Sequence, residues 1–319
     1  MFFKKAFLLG FYILFTICQV LPQTNKWRKI QYNAQIGLSS GRFETLAQDT
    51  DGYMWFGADN GLNRFDGINV KVYQTSLNDS NSINDNYINC IFSDSKGRLL
   101  VGTAKGVSEF NRLTDNFTRI KAPKEKSITC ILEDKHGNFW FSSSGEGLFY
   151  LSSNFELKHH FKINTNSING LKSNHLWSLY QDKEGIIWIG SQEGYIYSYD
   201  VITGEILLNS SIKCNDIVRS FFEDKKGNFI VCTNSGAHFC KKVIVWLNSK
   251  KTIELQEIDP VDKSLSDLLT VSQCFYGYDN NLWFIHEHGI SFLNLSTNKV
   301  THSNSDSSPL GFLYDEPSK

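Results

Sequence analysis

The chain has 319 residues, enough for two ordinary domains or one large all-β domain. Its 32 basic and 33 acidic residues nearly cancel, with no basic run and no acidic tail, which argues against a nucleic-acid partner. Aromatic residues make up 14 % against five prolines and two methionines, an excess that favours strands over helices.

The first segment reads as a targeting signal. Lys4 and Lys5 precede an apolar run from Ala6 to Val20, which Leu21-Pro22-Gln23-Thr24 then breaks. A run of about 15 residues suits a secretory signal peptide over residues 1–23 better than a spanning helix, which needs roughly 20. The segment has no small-x-small cleavage site, so an uncleaved membrane anchor is the alternative. Export to the periplasm is the expectation. Six cysteines follow this segment: Cys90, Cys130, Cys214, Cys232, Cys240 and Cys274. An even count in an oxidising compartment permits disulfides. Most of the six nevertheless sit at strand positions where small apolar residues pack, and no spacing gives C-x-x-C or a zinc signature. Cys90 and Cys130 fall at matching places in adjacent units, which makes them the pair the sequence singles out.

Trp27 to Tyr32 reads as a strand and residues 36–42 as a loop. A repeat then begins. A turn glycine recurs as Gly52, Gly97, Gly137, Gly185 and Gly227, with Asn280 in its place in a sixth copy. Spacings of 40–53 residues are those of propeller blades or solenoid units. Asp49, Asp94, Asp134, Asp182 and Asp224 stand three residues before the glycine, and Gly277 takes that place in the sixth copy. Three residues after it come Trp55, Leu100, Trp140, Trp188, Ile230 and Trp283. A second glycine follows as Gly61, Gly106, Gly147, Gly194, Gly236 and Gly289. Asp-x-x-Gly is a tight turn, in which the Asp side chain bonds backbone N–H groups and Gly takes positive φ. Asn is the best replacement for Gly at such a site.

Short apolar runs before each turn, such as Ile91-Phe92 and Ile131-Leu132, are too brief for helices and read as strands buried on both faces. The residues just ahead of them are Thr45, Cys90, Cys130, Ser178, Ser220 and Gln273. Five of these six are small, as expected where blades converge on an axis. A second strand follows each turn, a third begins after each second glycine, and a fourth lies beyond it; in the fifth copy the fourth falls in or after Val243 to Leu247. Four antiparallel strands repeated radially make an all-β fold, a β-propeller with six recognised repeats over residues 24–302 and a flexible tail over 303–319. Trp27 to Tyr32 would then be an outer strand donated to the last blade.

Gln48-Asp49-Thr50-Asp51-Gly52-Tyr53-Met54-Trp55-Phe56-Gly57-Ala58-Asp59-Asn60-Gly61-Leu62-Asn63-Arg64-Phe65-Asp66-Gly67 resembles the repeat of the two-component regulator propeller family. Residues 181–194 resemble it nearly as well, as do the linkers 80–86 and 166–169. The resemblance covers roughly residues 27–302. It implies the periplasmic sensor region of a hybrid two-component system that responds to a glycan or oligosaccharide. Members of the family usually carry a seven-bladed first propeller and continue into a second propeller, an immunoglobulin-like domain, a membrane helix, a kinase and a response regulator. Here the sequence offers six repeats and none of those later parts, so a truncated sensor, a split gene product and a smaller closed ring are all readings of it.

Candidate chemistry is sparse. The repeated Trp residues could stack on sugars, but their identical strand positions fit packing between blades. The repeated Asp residues fit turn capping better than calcium binding. The turns also approach the Asp-box of sialidase-type propellers, although there the Asp precedes Gly by two residues. Seven arginines in all, none after Arg219, do not supply a sialidase cluster, and no carboxylate pair can be assigned to acid and nucleophile roles. His159-His160 and His286-Glu287-His288 read as loop or solvated pairs rather than metal ligands, the latter in the loop before Gly289. The expectation is therefore no enzyme, no cofactor and no metal. A binding site should lie on the face shared by the loops into each inner strand and the loops between second and third strands. Those loops supply Arg42, Asp59, Asn60, Tyr87, His175, Trp177, Gln192, Glu193, Arg219, Glu287 and His288, a mixture suited to an oligosaccharide or other polar small ligand. A second propeller or a sensor kinase chain, or a second copy in a homodimer, are the expected protein partners. The alternatives are a protein-interaction scaffold and an Asp-box-like glycoside hydrolase.

Overall fold

The structure, a computed structural model, describes residues 37–40, 43–163, 170–200, 204–209, 212, 214, 216–224, 227–247, 250–259, 265, 268, 270–276, 281–286, 289–297 and 299–304. The signal segment, the expected strand at residues 27–32, the tail beyond 304, and Arg42, Asn280, Glu287 and His288 lie outside the described residues.

Among the described residues, twenty-four strands form six sheets. Blade 1 holds β1 (Phe43–Gln48), β2 (Met54–Ala58), β3 (Gly61–Phe65) and β4 (Val70–Tyr73). Blade 2 holds β5 (Ile88–Ser93), β6 (Leu99–Thr103), β7 (Gly106–Asn111) and β8 (Asn116–Arg119). Blade 3 holds β9 (Ile128–Glu133), β10 (Phe139–Ser143), β11 (Gly147–Leu151) and β12 (Leu157–Phe161). Blade 4 holds β13 (Leu176–Gln181), β14 (Ile187–Ser191), β15 (Ile196–Asp200) and β16 (Glu205–Asn209). Blade 5 holds β17 (Val218–Glu223), β18 (Asn228–Thr233), β19 (Gly236–Leu247) and β20 (Lys250–Glu257). Blade 6 holds β21 (Gln273–Tyr276), β22 (Asn281–His286), β23 (Gly289–Asn294) and β24 (Lys299–Asn304). Within each sheet the strands pair antiparallel in sequence order, giving the six-bladed β-propeller that the repeat predicts. In blade 5, Val243–Leu247 extends the long third strand, and β20 is the outer strand. In blade 6, β24 fills the outer place.

The turn between first and second strands does more than reverse the chain. In blade 1, Asp49 Oδ1 accepts from the backbone N–H of Asp51 and Tyr53, both at 3.0 Å, and Gly52 holds φ at 86°. The other carboxylate oxygen, Oδ2, accepts from the Trp55 indole Nε1 at 2.8 Å. Blades 3 and 4 repeat this bond, Trp140 to Asp134 at 3.0 Å and Trp188 to Asp182 at 2.9 Å. Where the large residue is not Trp, a side chain four residues after the Asp replaces the indole. Arg98 Nε donates to Asp94 Oδ2 at 2.6 Å, and Asn228 Nδ2 to Asp224 Oδ2 at 2.7 Å. All five carboxylates are buried. Capping is thus confirmed for the Asp residues, and packing between blades for Trp55, Trp140 and Trp188, while Trp283 is buried beside Phe275 and Phe292 of its own blade.

Blade-to-blade contact depends on a small residue on the second strand of blades 1 to 5. A Cβ placed on Gly57 would come within 2.6 Å of Ile88 in the following blade, and one on Gly190 within 2.5 Å of Val218. Gly102 meets Ile128 in the same way, while Ser142 and Cys232 hold the place in blades 3 and 5. In blade 6 the place belongs to Ile285. The opposite face of each second strand turns to the preceding blade. There Leu99 and Val101, Phe139 and Phe141, Ile187 and Ile189, Phe229 and Val231, and Leu282 and Phe284 are all buried, whereas their blade 1 counterparts Met54 and Phe56 are only half-buried.

Hydrogen bonds link successive turns. The N–H of Ser95, Lys135 and Lys183 donates to Glu133, Gln181 and Glu223 of the next blade at 2.7, 2.8 and 3.1 Å. Two cations reach back across a junction. Arg112 of blade 2 pairs with Asp49 at 3.1 Å and with Asp51. Lys242 of blade 5 pairs with Asp182 at 3.2 Å, with Glu223 at 2.9 Å and with Glu184. Burial alone would lower the Lys242 pKa, but these carboxylates outweigh it and raise the pKa.

Three substitutions test the turn. Trp140→Phe keeps the ring but removes the donor to Asp134, leaving a buried carboxylate oxygen unpaired, and should cost about 2–3 kcal/mol. Trp188→Phe should cost less, because Lys242 still reaches Asp182; urea unfolding of both variants gives the comparison. Gly52→Ala adds a methyl group into open space, so its cost of about 1–2 kcal/mol comes from positive φ alone.

Candidate functional site

The expected binding residues that the structure describes share one face of the propeller, here called upper, opposite the Asp turns. Backbone hydrogen bonds build this face. The residue ahead of each inner strand accepts from the second–third turn of its own blade: Ala104 N–H to Tyr87 O at 3.0 Å, Ser144 to Ser127 at 3.0 Å, and Gln192 to His175 at 2.9 Å. Neighbouring blades are clamped by Gly61 N–H to Asn86 O at 2.8 Å, Gly147 to Asn174 at 2.9 Å, and Thr270 to Asn234 at 2.8 Å.

These contacts gather the candidates into two groups. Asp59 and Asn60 form the exposed turn of blade 1, beside Tyr87 at the start of blade 2, and Gln74 Nε2 donates to Asn60 O at 3.0 Å. The second group joins blades 4 and 5. His175 and Trp177 flank the start of β13, Gln192 and Glu193 form the turn beside them, and the Arg219 guanidinium lies 5.4 Å from the centre of the Trp177 ring. Arg219 Nε also donates to Asn234 Oδ1 at 2.7 Å. His175 Nδ1 lies 3.4 Å from Ser144 Oγ of blade 3.

Trp177 and Arg219 belong to a larger set that motif reading only partly reached. The first strands of blades 1 to 5 each slip register by one residue against the second strand: between Phe43 and Thr45, Ile88 and Cys90, Ile128 and Cys130, Leu176 and Ser178, and Val218 and Ser220. The extra residue is a β-bulge, which re-aims a side chain. The five bulge residues are Glu44, Asn89, Thr129, Trp177 and Arg219, all half-buried. Their flanks keep one type of chemistry, large apolar before and small after, while the bulge residues themselves differ in charge and shape. Several touch the next blade: Asn89 Nδ2 donates to Ser127 Oγ at 3.2 Å, and Thr129 Oγ1 to Leu176 O at 2.7 Å. The signal for Glu44, Asn89 and Thr129 was present in the repeat, as the one variable column between two constant ones.

His286 ends β22 as a buried residue, its Nε2 2.8 Å from Ser291 Oγ, so it is a strand residue rather than part of the loop expected there. His159 and His160 lie on outer strand β12. Among the described residues no group of three metal-binding side chains comes together. On the lower face a cavity of about 520 Å³ opens beside the blade 1 turn, lined by Asp51, Lys96, Arg98, Glu109, Arg112 and Thr118 among others. Burial raises the Glu109 pKa against the pull of Arg98.

Glu146, in the upper turn of blade 3, is held by Lys126 at 2.8 Å and Lys162 at 2.6 Å. Hydrogen bonds from these two lysines bring its pKa from 4.5 down to about 2. The folded value lies below the unfolded one, so this contribution to stability is present above about pH 4.5 and is lost as pH falls toward about 2. Glu146→Gln should flatten that part of the curve of Tm against pH.

The fold and its repeated turn define a class, the β-propeller built from Asp-turn blades. Residues 37–60, 82–105, 123–145 and 170–193 match the family profile described as two component regulator propeller. Two similar solved structures are described as extracellular domains of hybrid two component systems of B. thetaiotaomicron. One superposes with a TM-score of 0.68 at 20 % identity, covering 89 % of this chain and 37 % of that one. The other gives 0.68 at 19 % identity, covering 91 % and 40 %. The chain thus spans about two fifths of the length of these structures. Virginiamycin B lyase from Staphylococcus aureus shares the fold at a TM-score of 0.61 and 12 % identity, covering 85 % and 86 %. No curated protein sequence matches the chain.

Proposed function

We propose that the chain is the extracytoplasmic sensing propeller of a two-component system, exported by its N-terminal segment, and that it binds an oligosaccharide or similarly polar ligand on its upper face without catalysis. The observation that carries this reading is the set of bulge residues. A scaffold held constant by turn, slot and flank carries Glu44, Asn89, Thr129, Trp177 and Arg219 at equivalent places with five different chemistries. Packing explains the constant columns and leaves the variable one for recognition. Trp177 supplies an apolar ring face and Arg219 a cation beside it, the combination that sugar rings and their polar substituents engage. The family and the extracellular two-component domains of the same fold support the signalling role. The ligand-induced change would pass to a sensor kinase chain or a second propeller.

Titration calorimetry of the full chain against a panel of neutral and acidic oligosaccharides tests the proposal. Trp177→Ala and Arg219→Ala should each weaken binding at least about tenfold, equivalent to about 1.4 kcal/mol, with little change in Tm. Absence of heat with every oligosaccharide, together with specific capture of a protein partner, would replace this reading with that of an interaction scaffold.

A further inference from the structure

We infer that Cys232 and Cys274 form a disulfide that ties blade 5 to blade 6 when the chain folds in an oxidising compartment. Cys232 lies on β18 in the slot held elsewhere by Gly57, Gly102 and Gly190, whose side the following blade approaches closely. Cys274 lies on β21 at the place of Ile91, Ile131, Leu179 and Phe221, each of which packs into the junction with the preceding blade. The two thiols therefore point into the same junction from opposite sides. They share one buried core cluster with Val271 and Phe284, and the Cys232 side chain lies near enough to act on the Cys274 thiol.

The other cysteines are placed differently. Cys90 and Cys130, the pair that the sequence singles out, pack in different junctions, Cys90 between blades 2 and 3 and Cys130 between blades 3 and 4. Cys214 and Cys240 share a cluster, but the Cys240 thiol is directed at the carbonyl of His238, 3.5 Å away on its own strand.

Burial pushes the Cys274 thiol well above its ordinary range, so this thiol is inert once the blades have docked. Oxidation belongs to folding, while the junction is still open. One thiolate attacks a disulfide oxidant, such as a disulfide-exchange protein or glutathione disulfide, and releases one thiol of that oxidant. The second cysteine then loses its proton and displaces the other half. An Sγ–Sγ bond forms, two protons leave, and the oxidant takes up two electrons as two thiols. The link would close a loop that spans β18, β19, β20 and the segment into β21, the part of the chain where the repeat departs most from its neighbours.

The test uses the full chain refolded in reduced and oxidised glutathione, so it is independent of where the protein resides and of any ligand. Free thiols are blocked in denaturant without reductant, and linked peptides are identified by mass spectrometry. The expected result is a Cys232–Cys274 peptide pair, and a Tm for the oxidised protein above that of the reduced one. Cys274→Ser should remove both, while Cys90→Ala should leave both in place. Recovery of Cys232 and Cys274 as blocked thiols, or either of them joined to glutathione or to another cysteine, would overturn the inference. Peptide mapping of the wild-type chain decides the matter even if a variant fails to fold.

Discussion

A carboxylate buried at the end of the inner strand in blades 1 to 5 is the constraint on which this propeller depends. An ionised group removed from water must have its oxygens satisfied. Asp49, Asp134 and Asp182 meet that condition with two sets of donors, backbone N–H groups on Oδ1 and an indole on Oδ2. The same bond that closes the turn therefore fixes the rotamer of the largest side chain in the blade, and that side chain fills the space against the next blade. Local turn and long-range packing cannot be altered separately. Blades 2 and 5 keep the condition and change the donor, with Arg98 and Asn228 in place of the indole. The carboxylate is the constant element and the tryptophan one of several ways to satisfy it.

Geometry then propagates from turn to ring. With the second strand anchored, only a small residue fits where the next inner strand crosses it, and Ile88, Ile128 and Val218 close onto Gly57, Gly102 and Gly190. Crowding at that crossing coincides with the bulge, since Val218 of the crossing pair immediately precedes Arg219, and Ile88 precedes Asn89. The bulge residue is freed from the pleat's alternation and set on the upper rim. A column of variable side chains thus arises from a packing constraint, flanked on both sides by residues of constant chemistry.

Much of this was legible in the residues. The Asp-x-x-Gly turn, the order of strands and the burial of Trp55, Trp140, Trp188 and Trp283 followed from local chemistry repeated six times. The indole-to-carboxylate bond was not legible, because a period between Asp and Trp says nothing of which way either side chain faces. Position 228 illustrates the difficulty: Asn there looks like an ordinary turn residue until its amide is found replacing an indole. Trp177 and Arg219 were recognised singly, as aromatic and basic residues near loops. Their kinship with Glu44, Asn89 and Thr129 is a matter of register, and a one-residue slip is visible only once strands are paired. The outer strand of blade 5 was hard to place for a similar reason, since Val243–Leu247 has strand chemistry and is strand, but continues β19.

Blade 1 differs from the others on one side. Met54 and Phe56 are half-buried where their counterparts are buried, the Gln48 side chain donates from Nε2 to Gly52 O of its own turn, and Ile285 fills the slot on blade 6 that is small in the five blades before it. Blades stacked through nearest-neighbour contacts behave as a one-dimensional array, whose stability is a sum of unit and interface terms. Five junctions among the described residues are packed in this way, and blade 1 is less buried on its side away from blade 2. In such an array a terminal unit, held on one side, parts from the rest before an interior one does.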